Sequence, residues 1–281
     1  MNERAEQTDK PDEITELSDL YFFRPAGSVL ANVAAKVRLT PSQVTIIAGV
    51  VGMIGGAFLY SRRWGWVGFA LLLFHGALDS ADGQLARKIG QTSEFGRVLD
   101  GVAGYVTHTA MFIGLAAGHI ARGGSRLVLL WMAFTGLASI AHAQAYDYYR
   151  TTYAAIVNTR RIRRNEPKNI EGWLHAPYTA YSRMQRFLTG SHDEVVAELN
   201  TRAQDGVVTE DDRQHYRGSF RPLVRGWNLL GDNTRRYAAG AAVLFQRADL
   251  FFAIVLLPMN LIFIVMTIWQ RRTDRRFLAE R

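Results

Sequence analysis

The amino-acid pattern predicts an all-α fold: an integral membrane helical bundle with about six transmembrane helices, an N-terminal interfacial helix and a helical cytoplasmic insert. Three observations lead there. Apolar runs near the roughly 20 residues needed to cross a bilayer recur at 41–60, 98–120, 127–146 and 250–269. Short turns rich in Gly, Ser and Arg separate them. The 281 residues carry a net charge of +8, and the Lys and Arg residues gather between and beside the apolar runs. The mean hydropathy of −0.04 resembles that of a soluble protein, but a polar amino terminus and a polar middle dilute the average.

In chain order, residues 1–18 are polar and lack the apolar region of a signal peptide. Over 17–37, apolar Leu20, Phe23, Val29, Val33 and Val37 predict an amphipathic helix lying in the interface. Thr40 followed by Pro41 reads as N-cap and first helical residue of span one. Residues 61–65 form a turn with an interfacial Trp64. Span two runs from Trp66 into an acidic stripe, the turn 88–94 follows, and span three covers 98–120. Residues 121–125 turn into span four at 127–146. Residues 147–226 are basic and aromatic, with a dense cluster from Arg160 to Arg164. Ser191 to Glu194 reads as a capping box, Thr209 opens a further helix, and His192 and His215 are expected to be solvated. Residues 250–269 are a clear span. Five spans would put the termini on opposite sides, which the positive-inside tendency resists. A fifth span over 227–246, holding Asp232, Arg235 and Arg236, makes six and leaves both termini in the cytoplasm. The expected parts are therefore 1–38, 39–146, 147–226 and 227–281.

The chemistry lies in 79–104, DSADGQLARKIGQTSEFGRVLDGVAG. On a helix, Asp79, Asp82, Gly83, Ala86 and Arg87 share one face. Gly96, Asp100 and Gly104 form a stripe on the next helix. An aspartate at mid-bilayer costs roughly 2.5–3.5 kcal/mol on insertion scales. Bound divalent cations and a phosphate ligand near the membrane surface would offset that. Mg²⁺ or Mn²⁺ suits the oxygen ligands that Asp79, Asp82 and Asp100 supply, and small Gly83 and Ala86 let a nucleotide lie against the helix. Gly96, Asp100 and Gly104 also make a small-xxx-small face, so part of that spacing can serve helix packing.

The stretch resembles the signature of the CDP-alcohol phosphotransferase family, D-x2-D-G-x2-A-R-x8-G-x3-D-x3-D. Asp79, Asp82, Gly83, Ala86, Arg87, Gly96 and Asp100 match at every spacing, whereas Gly104 stands where the family has its fourth aspartate. The resemblance implies Asp79, Asp82 and Asp100 as metal ligands and Gly83, Ala86, Arg87 and Gly96 as the nucleotide site. It implies attack by an acceptor hydroxyl on the β-phosphorus of a CDP-alcohol, with CMP leaving. CDP-diacylglycerol leads as donor; a CDP-aminoalcohol with a lipid acceptor is the alternative. It also implies a homodimer in phospholipid biosynthesis, set in the inner membrane if the source is bacterial, with its active site on the cytoplasmic side.

The family assigns the fourth aspartate as the base that deprotonates the acceptor. With Gly104 there, four readings stay open. His108, one turn on, replaces the base; a metal-bound water or another residue takes the proton; an anionic acceptor needs no base; or the protein binds CDP-lipid without turnover. His75, His142, Asp147, Arg150, Arg235 and Arg236 are weaker candidates for the pocket. The sequence has no cysteine, which excludes thiolate metal sites. The basic charge fits membrane lipid better than nucleic acid, and no internal repeats point to a transporter.

Overall fold

The computed structural model describes residues 12–159, 175–203 and 206–280, and every regular element among them is helical. The N-terminal tail up to residue 11 and the Arg160 to Arg164 cluster lie outside the described residues.

A wide turn at Asp19–Phe23 leads into α1, Arg24–Lys36. α2, Pro41–Phe58, starts as its sequence demands: the Thr40 hydroxyl accepts from the Gln43 amide while the Gln43 side chain accepts from the Thr40 amide at 2.8 Å. α3, Gly65–Ile89, ends at Gly90, whose φ of 69° is the left-handed conformation that glycine adopts freely. Ser93 then caps α4, Glu94–Ala121, by accepting from the Gly96 amide at 3.0 Å. α5, Val128–Ala154, runs beyond the expected end of span four at 146. α6 spans His175–Arg202, α7 Glu210–Trp227 and α8 Asp232–Leu244. α9, Ala248–Ile254, passes through a wide turn at Val255–Met259 into α10, Asn260–Ala279. Pro258 in that turn has no amide hydrogen to donate, which accounts for the local widening.

Four helical stretches among the described residues are long and apolar enough to cross a membrane: Pro41–Phe58, Phe95–Ala121, Val128–Asn158 and Ala248–Ala279. Their burial runs opposite to that of a soluble protein. In α2 the buried residues are mostly small (Thr45, Ala48, Gly49, Gly52, Gly55 and Gly56), while Ile46, Ile47, Val50, Met53 and Ile54 face outward. Such a surface suits lipid. α3 has 25 residues, but its second half carries Asp79, Asp82, Arg87 and Lys88. The expected fifth span over 227–246 is corrected. Trp227 ends α7, a tight turn at Asn228–Leu230 and an extended Gly231 follow, and α8 has only 13 residues. That is about 20 Å of helix against roughly 30 Å of hydrocarbon. The polar residues Asn228, Asp232 and Asn233 break the run.

The chain folds into two units. The first holds 16–137 and 232–258, with α1 to α4, the start of α5, α8 and α9. Its tightest seam joins α2 to α4. A methyl group added at Gly114 would lie 2.1 Å from the Gly56 carbonyl oxygen, and one at Gly118 would lie 2.6 Å from that of Tyr60. Backbones can meet so closely only where side chains are absent.

The second unit holds the described residues of 138–159, 175–203, 206–231 and 259–280, with 12–15 from nearer the amino terminus. Its core is aromatic and polar. His192 has Asp274 Oδ1 at 2.8 Å from Nδ1 and the Tyr216 hydroxyl at 2.8 Å from Nε2, and it is 1% exposed. The expectation of a solvated His192 is therefore corrected. So is the capping box at Ser191: α6 is continuous there, and the Ser191 hydroxyl donates to Asp274 instead. Thr209 does cap α7, accepting from the Asp212 amide. His215 packs on the Phe277 ring.

Candidate active site

The motif occupies the C-terminal half of α3 and the N-terminal half of α4. Asp82 is buried, and the Thr45 hydroxyl of α2 donates to its Oδ2 at 2.6 Å. That bond fixes the carboxylate and leaves Oδ1 for another partner. Asp79, one turn earlier and half-buried, acts electrostatically on Asp82 and on His75. Gly83 is open: a Cβ there would meet only Arg87 Nη1, at 3.4 Å. Arg87 and Asp100 are exposed, and Ala86 and Gly96 are half-buried.

α3 thus brings Asp79 and Asp82 together. Among the described residues no three His, Cys, Asp or Glu side chains lie close enough to hold a metal ion, so Asp100 does not complete such a group in this side-chain arrangement. The donor set still fits a hard cation, because Asp79, Asp82 and Asp100 offer only oxygens and substrate phosphates can complete the shell.

α1 packs along the motif helix. Gly27 closes on Ser80, Gln84 donates to the Arg24 carbonyl at 3.0 Å, and Lys88 donates to Asn32 Oδ1 at 2.5 Å. His75 Nδ1 donates to the Ala48 carbonyl at 2.9 Å, tying α3 to α2. The idea that Gly96 and Gly104 belong to a packing face is corrected. A Cβ at Gly104 would meet nothing within 4 Å, and one at Gly96 only its own Ser93 cap. The packing glycines of α4 are the later ones, Gly114 and Gly118.

α8 lies against α3 and supplies a charged group that the sequence reading only touched. Arg236 Nη1 lies near Gly76, donates to Asn233 Oδ1 and sits over the Phe23 ring at 5.7 Å. Asn233 in turn donates to Asp19 at 2.8 Å and to Ser18 at 3.0 Å. Arg235 is 1% exposed, 3.5 Å from Asp232 Oδ1 and within electrostatic reach of Glu16. On α4, His108 Nδ1 lies 2.9 Å from the Gly104 carbonyl and Nε2 lies 3.8 Å from Asp232 Oδ1. His75 feels Arg236, Asp79 and His108, so motif and α8 form one polar cluster within the first unit. The sequence reading missed Thr45 and the pairing of Asp232. Thr45 was legible only as a polar residue on an otherwise apolar span. His142, Asp147 and Arg150 belong to the second unit, where His142 Nε2 faces Asn260 Oδ1 at 3.1 Å and Arg150 lies over the Tyr146 ring.

Residues 38–164 match the family CDP-alcohol phosphatidyltransferase. The phosphatidylinositol phosphate synthase of Cutibacterium acnes is 29% identical over 121 residues, which is 43% of this chain and 56% of the relative. That of Streptomyces avermitilis is 35% identical over 122 residues, 42% of this chain and 48% of the relative. That of Mycolicibacterium smegmatis is 31% identical over 104 residues, 35% of this chain and 47% of the relative. The chain spans about half the length of the curated relatives it matches. No solved structure matches it. The matched segment contains the seven motif residues, and it is over residues 38–164 that this chain is similar to the CDP-alcohol phosphatidyltransferase family.

Proposed function

We propose that the protein transfers a phosphatidyl group from CDP-diacylglycerol to an acceptor alcohol and releases CMP, as a step of phospholipid biosynthesis. The observation that carries the reading is the Asp79–Asp82–Gly83 turn of α3: a carboxylate pair with Asp82 locked by Thr45, next to a glycine whose face is open. The acceptor oxygen bonds to the β-phosphorus, the bond from that phosphorus to the CMP oxygen breaks, and the electron pair leaves with CMP. Mg²⁺ or Mn²⁺ held by Asp79, Asp82 and Asp100 would supply charge neutralisation at the pyrophosphate and stabilise both the attacking and the leaving oxygen. Open Gly83 and half-buried Ala86 and Gly96 let the nucleotide approach the backbone, and exposed Arg87 offers it a guanidinium. Thr45 holds Asp82 in place.

The relatives' name, phosphatidylinositol phosphate synthase, favours a phosphorylated polyol as acceptor. Arg235 and Arg236 on α8 support that, since they bring guanidinium groups to the polar cluster around Asp79 and His108. By family analogy the protein works as a homodimer in a multi-pass arrangement, at the inner membrane if bacterial, with this site on the cytoplasmic side. Gly104 favours one second reading, a catalytically silent relative that binds CDP-lipid.

The test is CMP release by purified protein in lipid nanodiscs, with CDP-diacylglycerol, Mg²⁺ or Mn²⁺, and glycerol 3-phosphate, inositol, inositol phosphate or serine. Metal-dependent release that Asp100→Ala abolishes is the expected result. Release only with CDP-ethanolamine or CDP-choline and a lipid acceptor would replace the donor. Nucleotide binding without release under any of these conditions would establish the silent relative.

A further inference from the structure

We infer that His108 and Asp232 form the proton-accepting pair that takes the place of the carboxylate missing at position 104. The inference rests on the transferase reading above.

Three features of the structure converge. First, position 104 is vacant space rather than packing: a Cβ there would meet nothing within 4 Å. A glycine at 104 therefore does not serve the helix seam, and the room next to the motif is free for an acceptor. Second, the ring of His108 is oriented. Its Nδ1 lies 2.9 Å from the Gly104 carbonyl oxygen. A carbonyl oxygen only accepts, so Nδ1 carries the hydrogen, and in the neutral ring Nε2 is the nitrogen with the lone pair. Third, Nε2 has a carboxylate nearby. Asp232 Oδ1 is 3.8 Å away, on the first residue of α8. The His108 side chain is 18% exposed and that of Asp232 is 56% exposed.

These facts assign two roles. His108 Nε2 takes the proton of the acceptor hydroxyl as the oxygen bonds to the β-phosphorus and CMP departs. The imidazolium so formed is held between the Gly104 carbonyl and the Asp232 carboxylate, both of which favour the charged ring. Asp232 reaches solvent and passes the proton out. His108 is the catalytic residue and Asp232 a positioning and proton-exit residue. The charged and titratable groups acting on the imidazole are Asp232, Arg235 and Arg236 from α8 and His75 from α3.

The experiment uses the full chain in nanodiscs, with whichever acceptor supports CMP release. His108→Ala is expected to slow release about 100-fold or more, the usual scale for a lost general base, while protection against heat by CDP persists. Gly104→Asp fits the open space, so the double variant His108→Ala/Gly104→Asp is expected to regain at least tenfold. A histidine needed only for packing would not be rescued in this way. Asp232→Asn is expected to move the acidic limb of the pH profile down by about one unit, the effect of removing a solvent-exposed charge nearly 4 Å away. Active wild type with an unchanged His108→Ala rate overturns the assignment alone. So does a double variant that binds CDP but stays as slow as His108→Ala. A wild type that releases no CMP with any acceptor overturns the transferase reading, and the base assignment falls with it.

Discussion

Replacing Gly114 by alanine tests how the site is held. The added Cβ would sit 2.1 Å from the Gly56 carbonyl oxygen, a backbone atom that cannot swing aside. Ordinary contact at such a pair needs roughly 1 Å more, so α2 and α4 must part along their seam. Overpacking of this kind costs about 1–3 kcal/mol. The change from glycine to alanine in a helix returns up to about 1 kcal/mol, leaving a net loss of about 1–2 kcal/mol. For a chain of this size that lowers the melting midpoint by about 2–8 °C. Gly104→Ala is the control, because it makes the same change on the same helix where a Cβ meets nothing. Its midpoint should equal or exceed that of wild type. Scanning fluorimetry of the purified protein in detergent reads both. If Gly114→Ala melts at or above wild type, or Gly104→Ala falls as far, the assignment of the α4 glycines to a clamped half and an open half is wrong.

Three further outcomes follow from the same geometry. Thr45→Val keeps the shape but removes the hydroxyl that holds Asp82. Groups that orient a metal-binding carboxylate are typically worth 10–100-fold in metal affinity or activity, so the Mn²⁺ needed for half-maximal CMP release should rise on that scale; an unmoved Mn²⁺ dependence would remove Thr45 from the site. His192→Phe takes a partner from fully buried Asp274 and from Tyr216. Stability should fall by about 1–3 kcal/mol, and a melting curve like that of wild type would contradict the network. Glu13 accepts hydrogen bonds from Arg217 and from the Tyr153 hydroxyl, and Arg217 and Arg221 add attraction, so its carboxyl titrates below the usual range. A lowered folded-state pKa gives stability that is complete above the unfolded value of about 4.3 and is lost as pH falls through the folded one. The gap in melting midpoint between wild type and Glu13→Gln should therefore be full at pH 7 and shrink below about pH 4. A gap that stays constant across that range would refute the link.

The sequence was most legible where chemistry is local. Thr40, Pro41 and Gln43 announce the start of α2 because cap and first turn are neighbours in the chain. The helix ends around Gly90 and Ser93 are readable for the same reason. The motif face on α3 follows from helical spacing alone. What stayed hidden depends on partners distant in sequence. Thr45 and Asp82 are 37 residues apart, and His192 and Asp274 are 82 apart. Ser191 to Glu194 has the letters of a helix start, yet α6 runs straight through it, and Ser191 donates to Asp274 across the second unit. The fifth span failed because hydropathy and charge-side counting see an average over 227–246. The polar groups at Asn228 and Asp232 break that segment into a turn and a short helix. Glycines were the hardest to read. Gly96 and Gly104 have the four-residue spacing of a packing face, but spacing does not say whether a helix lies opposite.

That last ambiguity bears on why a base would stand at 108 and not at 104. Helices in a bilayer gain little from hiding apolar surface from one another, so close backbone contact has to hold them. On α4 that contact runs from Ala103, whose Cβ would lie 3.2 Å from a Cβ on Gly49, through Thr107, whose hydroxyl oxygen would lie 2.2 Å from one on Gly52, to Gly114 and Gly118. Position 104 is turned away from that seam, as is Gly101: a Cβ at either would meet nothing within 4 Å. A side chain at 104 would extend into free space with only its own helix to steady it. A side chain at 108 leans back on the Gly104 carbonyl and has Asp232 of α8 nearby. Proton transfer depends on groups held to within about half an ångström. A longer, planar side chain with a partner at each ring nitrogen is therefore better defined than a short carboxylate standing in open space.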